Sequence, residues 1–75
     1  MRKRITLGKA VKAIRLAQGR AAATFATECR ISDSTLHNIE AGRRQPSADL
    51  LIVIAHHLGV DVEAISYVTE EAIAS

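Results

Sequence analysis

The 75-residue chain has no tryptophan, and it has only one cysteine, one proline, one phenylalanine and one tyrosine. A lone cysteine, Cys29, cannot close an intrachain disulfide or supply a thiolate metal cluster within one chain. With Phe25 and Tyr67 as the sole aromatics, the 48% hydrophobic share rests mainly on Ala, Leu, Ile and Val, which suits a small helical fold with closely approaching helices. Strands are not indicated. No apolar run approaches a bilayer span, because the longest, Leu50 to Ala55, is followed at once by His56 and His57. The basic start MRKR is not followed by an uninterrupted apolar segment, so no signal peptide is expected and the cytoplasm is the expected location. No His/Glu metal signature and no phosphate-cradling glycine loop occur, so neither metal nor cofactor is expected. Ser34 and His37 stand three residues apart but have no third residue to orient them, which argues against an enzyme.

Lys and Arg are absent after Arg44. All ten precede that point alongside Glu28, Asp33 and Glu40, giving residues 1–44 a net charge of +7; the remainder carries five acidic residues, a net charge of −5. A molecule so polarised offers one side to a polyanion and holds the other away from it. The length allows a single domain near the lower size at which one apolar core suffices, so help from a second subunit is plausible.

What is present is centred on Ala21 to Gly42, AAATFATECRISDSTLHNIEAG. Phe25, Ala26 and Cys29 give one short helix an apolar stripe, and Leu36 and Ile39 give a second one. Ser32 is placed to cap the second helix, and Gly42 stands where a left-handed C-terminal cap is wanted, so that helix spans about residues 33–41. Its outward residues Asp33, Ser34, Thr35, His37 and Asn38 are polar and rich in hydrogen-bonding groups, a surface that can reach base edges in a DNA major groove. Cys29 falls at an apolar core position, where burial as a small hydrophobe is favoured over a redox role.

The stretch resembles the helix-turn-helix of the Cro/CI-type repressor family, from about Leu7 to Ile65. The matching residues are LGKAVKAIRLAQG, the apolar spacing Phe25/Ala26/Ile31/Leu36/Ile39, the run IS..T followed by IEAGRRQPS, and LLIVIAHHLGV. The family usually has Gly where this chain has Arg30, and Gln where it has Ala22. Arg30 must then take a left-handed backbone at a cost on the order of 1 kcal/mol, or the turn must be built differently. The resemblance implies an all-α, compact five-helix bundle of the phage-repressor DNA-binding type, with the helix-turn-helix as helices 2 and 3. It also pairs Arg15 with Glu40 in a partly buried, bidentate salt bridge that fixes the recognition helix.

Three segments follow: a basic arm over residues 1–5, a helix-turn-helix domain over 6–66, and a tail over 67–75. The arm, with Arg2, Lys3 and Arg4, either follows phosphates or is a loose solvated end. The first helix is expected over Leu7 to Gln18, with Leu7, Val11 and Ile14 inward and Gly19 ending it. A fourth, capped by Ser47, should bury Leu50, Leu51, Ile54, Ala55 and Leu58 and leave Ile52 and Val53 over. A fifth over VEAIS should be capped by Asp61. Tyr67, Val68 and Ile73 are too few apolar residues to stand alone, so the tail is expected to pair with its copy in another chain or to fray.

The function so implied is sequence-specific binding of double-stranded DNA by a homodimeric transcriptional regulator, a repressor acting on a palindromic operator. Asp33, Ser34 and Asn38 are the candidates for base contacts; Thr35, His37, Arg43, Arg44, Gln45 and Arg20 are those for phosphate or supporting contacts. An antitoxin that also binds a toxin is the nearest alternative, and an interaction module that does not bind DNA is a more distant one.

Overall fold

The computed structural model describes residues 2–70, ordered as strand β1 (Arg2–Thr6), helices α1 (Gly8–Ala17), α2 (Ala22–Glu28), α3 (Asp33–Glu40) and α4 (Ala48–Leu58), a 3-10 turn (Val62–Ala64) and strand β2 (Ser66–Glu70). Both serine caps form as the sequence predicts. Ser32 Oγ accepts the Thr35 N–H at 3.0 Å and Ser47 Oγ accepts the Leu50 N–H at 3.2 Å. Each satisfies one backbone donor that the helix cannot. The core lies between the helices and joins Val11, Phe25, Ala26, Leu36, Ile39, Leu51, Ile54 and Leu58, with Ile65 folded back against it. Burying a side chain the size of Phe25 or Ile54 contributes roughly 1.5–3 kcal/mol each. No helix among the described residues is long and apolar enough to cross a membrane.

The expected all-α five-helix bundle is corrected to four helices and a small sheet. The VEAIS segment forms one 3-10 turn, and Asp61 makes no side-chain cap hydrogen bond there. The turn is short because Ile65 and Ser66, both buried, already leave it to enter β2. The expected absence of strands is also overturned: β1 and β2 pair antiparallel, with Arg2 opposite Glu70 and Thr6 opposite Ser66. Ile5, Thr6, Tyr67, Val68 and Thr69 are the branched and aromatic types that fit a pleated surface. A two-stranded ribbon is marginal alone. This one is anchored at its inner end, where Thr6 and Ser66 are buried and Leu7 N–H donates to Ile65 O at 2.7 Å. The basic arm and the start of the tail are therefore partners of each other within one chain; residue 71 onward, including Ile73, lies outside the described residues.

Two smaller differences concern α1 and α4. Leu7 is the N-cap of α1 and stays 41% exposed, so the inward row is Gly8, Val11 and Arg15 with Ile14 half-buried. Leu50 is half-buried too, and Ile52 and Val53 remain exposed, as the apolar surplus of α4 predicts.

Candidate nucleic-acid interface

The turn between α2 and α3 is built on Arg30. Its φ is +60°, in the left-handed region. Arg30 N–H donates to Thr27 O and Ile31 N–H to Ala26 O, both at 3.0 Å, the paired bonds of a Schellman closure. The same closure ends α3, where Gly42 has φ +79° and its N–H and that of Arg43 return to Ile39 O and Asn38 O. Gly adopts this conformation at no steric cost, whereas the Arg30 Cβ does not. The turn is thus a left-handed closure carried by a residue that strains it.

Helix α3 divides cleanly. Leu36, Ile39 and Glu40 are buried; Asp33, Ser34 and His37 are exposed; Thr35 and Asn38 are half-buried. Ser34 and Asn38 are four residues apart, so they lie on one side of the helix. The Thr35 hydroxyl accepts from Ser32 Oγ at 2.9 Å, which ties it to the cap. Beyond the helix, the Arg43 and Arg44 amides both donate to Asn38 O, at 2.9 and 3.3 Å, and their exposed side chains stand at its C-terminal end.

Three contacts hold this helix from behind. Arg15 Nε donates to Glu40 Oε2 at 2.8 Å and Nη2 to Oε1 at 3.1 Å, so the expected bidentate pair forms with both side chains buried. Hydrogen bonding to Glu40 raises the Arg15 pKa further, against the opposing effect of burial. Arg15 Nη1 also donates to Arg20 O at 2.7 Å, linking the pair to the start of α2. The second contact is one the sequence did not disclose: α1 approaches α3 so closely at Gly8 that a Cβ there would stand 2.2 Å from Ile39 O and 2.7 Å from Glu40 O. A glycine in the first turn of a helix, where alanine would be favoured by about 1 kcal/mol, was the available clue. The third contact is Gln45, whose Oε1 accepts the Thr6 N–H at 2.9 Å and fastens the loop after α3 to β1.

Two expected supporting residues therefore have structural work. Gln45 positions the loop, and Arg20 donates to His57 O at the carbonyl end of α4 with its guanidinium 5.9 Å from the Phe25 ring centre. Gln18, which the sequence did not single out, caps the same end through Leu58 O at 2.7 Å. A cation and an amide there satisfy carbonyls that the helix leaves open. Cys29 is buried, and burial with help from Glu28 pushes its thiol up to about 11, Arg20 working in the opposite sense. Among the described residues no group of three or more His, Cys, Asp or Glu is placed to hold a metal ion.

The sequence model of the Helix-turn-helix family matches residues 11–65. Among solved structures, the clp gene regulator ClgR from Corynebacterium glutamicum is 33% identical, with 76% of this chain and 74% of that one covered and a TM-score of 0.71. The master regulator for biofilm formation SinR, solved in complex with DNA, is 26% identical over 76% of this chain and 92% of that one, with a TM-score of 0.71. The restriction-modification controller protein C.AhdI from Aeromonas hydrophila is 22% identical over 77% of this chain and 88% of its own, and its TM-score of 0.73 speaks to the fold alone. No curated protein matches the chain significantly.

Proposed function

The chain belongs to the helix-turn-helix family of Cro/CI-type regulators, and on that premise we propose that it is a sequence-specific, double-stranded-DNA-binding transcriptional regulator, acting as a homodimeric repressor on a palindromic operator. The observation that carries this reading is the polarity of α3: a buried aliphatic and ionic back, an exposed Asp33/Ser34/His37 front, and two exposed arginines at its end. Ser34 and Asn38 reach base edges, Asn38 with the donor–acceptor pair that matches adenine N6 and N7. Asp33 accepts from cytosine N4 at the helix start. Thr35, His37, Arg43 and Arg44 meet phosphates, which set position without reading sequence. Gln45 and Arg20 serve by support, Gln45 Oε1 fixing the loop after α3 to Thr6 and Arg20 Nη1 binding His57 O at the end of α4.

One α3 reads too few base pairs to find a genomic site, so two copies on half-sites about one helical turn apart are required. Selection of bound duplexes from a random library, followed by titration at several salt concentrations, tests the proposal. The selected site should be palindromic and binding should weaken steeply with salt. Ser34→Ala and Asn38→Ala should each weaken the selected site by about tenfold or more and leave random duplex unaffected. Arg43→Ala and Arg44→Ala should weaken every duplex alike and lower the salt slope by about one each. Wild-type protein that ignores all duplexes in dilute buffer would overturn the proposal.

A further inference from the structure

Strand β1 carries three cations and lies against the loop that follows α3. In an antiparallel pair, alternate residues turn their N–H and C=O groups to the partner strand and the others turn theirs outward. Leu7 N–H donates to Ile65 O and Thr6 is registered on Ser66, so the outward residues of β1 are Arg2, Arg4 and Thr6. At Thr6 the outward N–H goes to Gln45 Oε1, which sets the edge of β1 beside the loop that holds Arg43 and Arg44. Ile5 and Tyr67 also share one cleft with Lys9, Ala41 and Gly42, so the ribbon and the end of α3 form one continuous surface. Along its outer part Arg2, Lys3 and Arg4 are all exposed, and their side chains alternate to the two sides of the strand. The one charged residue of β2 is Glu70.

We propose that the edge of β1 is a track for the sugar–phosphate backbone, which continues past the Arg43/Arg44 loop and extends the DNA contact beyond the C-terminal end of α3. This deepens the DNA-binding reading above and rests on it. The occupant follows from charge and continuity. Cations along a strand edge deter pairing with another strand, so a protein strand is the poorer fit and a polyanion the better one. The outward amides of β1 recur every ~6.8 Å, a spacing comparable with that of successive phosphates on one nucleic-acid strand. An outward amide flanked by guanidinium groups offers an anion both a directed donor and a charge. Arg4 is held for such a role: its Nη1 donates to Ser66 Oγ at 3.0 Å, and Ser66 donates in turn to Val62 O, which fixes one corner of an otherwise exposed side chain. Contacts of this kind supply affinity and register without reading sequence.

The test uses the full chain and the selected duplex with several base pairs of flank on each side. The neutral variant Arg2→Gln/Lys3→Gln/Arg4→Gln should lower the slope of log affinity against log salt by about 1.8 to 2.7, two to three phosphates at about 0.9 each. Between about 50 and 200 mM salt that is a difference of roughly ten- to fortyfold. The ratio of selected-site to random-duplex affinity should hold, because phosphates carry no sequence. Arg2→Lys/Arg4→Lys, which keeps the charge, should restore the slope. Amide exchange decides the matter even if the neutral variant loses the ribbon. In wild type the outward Arg4 N–H should exchange at least about tenfold more slowly on the duplex than in the free chain, whereas Ile5 N–H, turned toward β2, should be slow in both. A neutral variant with the wild-type slope, or an Arg4 amide that exchanges alike with and without duplex, overturns the track and leaves the reading of α3 standing. A neutral variant that loses its preference for the selected site overturns it too, since β1 would then be reading bases. Wild type that ignores all duplexes removes the DNA reading and the track together.

Discussion

Glu40→Ala separates a structural ion pair from a decorative one. The two side chains of the Arg15–Glu40 pair are 6% and 7% exposed and share two hydrogen bonds, so the variant leaves a guanidinium that keeps only its bond to Arg20 O and little water. Removing one partner of such a pair costs about 3–5 kcal/mol, against about 0–1 kcal/mol for a surface pair. A domain of this length has a total stability on the order of 4–11 kcal/mol, so the variant should lose a large share of it. At about 4–8 °C per kcal/mol, the thermal midpoint should fall by roughly 12 °C or more. The double variant Arg15→Met/Glu40→Leu removes the charge with its partner and should recover most of the loss. The assay is thermal unfolding by circular dichroism of wild type, Arg15→Met, Glu40→Leu and the double variant, with Glu40→Ala beside them, at low and high salt. A buried pair is screened far less than a surface one, so the coupling should persist at high salt. A loss under about 1 kcal/mol for Glu40→Ala, or a double variant no better than the single, would refute the argument that burial makes the pair matter.

Three further outcomes follow from other contacts. Gly8→Ala forces α1 away from the Ile39 and Glu40 carbonyls, so it should destabilise by about 1–3 kcal/mol and also weaken duplex binding, measured on the same preparation; unchanged stability would mean that the helices separate freely. Arg30→Gly relieves the left-handed residue in the turn and should raise stability by about 1 kcal/mol, read as an upward shift in urea midpoint, with a fall contradicting the strain assigned there. Cys29 has its pKa raised from 9.0 to about 11, so below pH 9 the thiol is protonated in both folded and unfolded chains and contributes no pH dependence. Between pH 9 and about 11 the unfolded chain ionises first, and stability is lost as pH rises. Wild type should therefore lose stability relative to Cys29→Ala across that window, and parallel curves would show the thiol to be accessible.

The helices were legible because their ends are written locally. Ser32 and Ser47 stand one residue before the helices they cap, and Gly19, Gly42 and Gly59 each take a positive φ just after one. The ribbon was not, because its partners lie at opposite ends of the chain, as in the Arg4–Ser66 bond across 62 positions. Five residues such as RKRIT carry too little alternation to reveal a strand, and their charge resembles a free arm. The short turn at residues 62–64 is hidden in the sequence for a related reason: Asp61 has the type of a cap, but the following strand takes the chain away before a helix can propagate.

The candidate interface was legible in its chemistry more than in its mechanics. Polar residues opposite Leu36 and Ile39 followed from helical spacing, and the Arg15–Glu40 pair from resemblance to a family. What spacing cannot show is how unevenly α3 is held. Gly8 against the Ile39 and Glu40 carbonyls, Arg15 on Glu40, and Gln45 on Thr6 all act at its C-terminal end or on the loop just beyond. Its N-terminal half is held by the buried Leu36, the Ser32 cap and the strained Arg30 turn, with no polar clamp of that kind among the described residues, and there Asp33 and Ser34 are exposed. A surface that must match a rigid duplex needs its side chains fixed by packing from behind while its front stays free of internal partners. Clamping one end of a helix of eight residues meets both conditions, since a segment so short turns as a unit and the clamp sets the angle of every side chain on it. Variants at the clamp, none of which carries a residue proposed to touch DNA, should therefore weaken duplex binding by more than their loss of folded population accounts for. Binding that tracks folded fraction alone would show that the clamp holds the fold without aiming the helix.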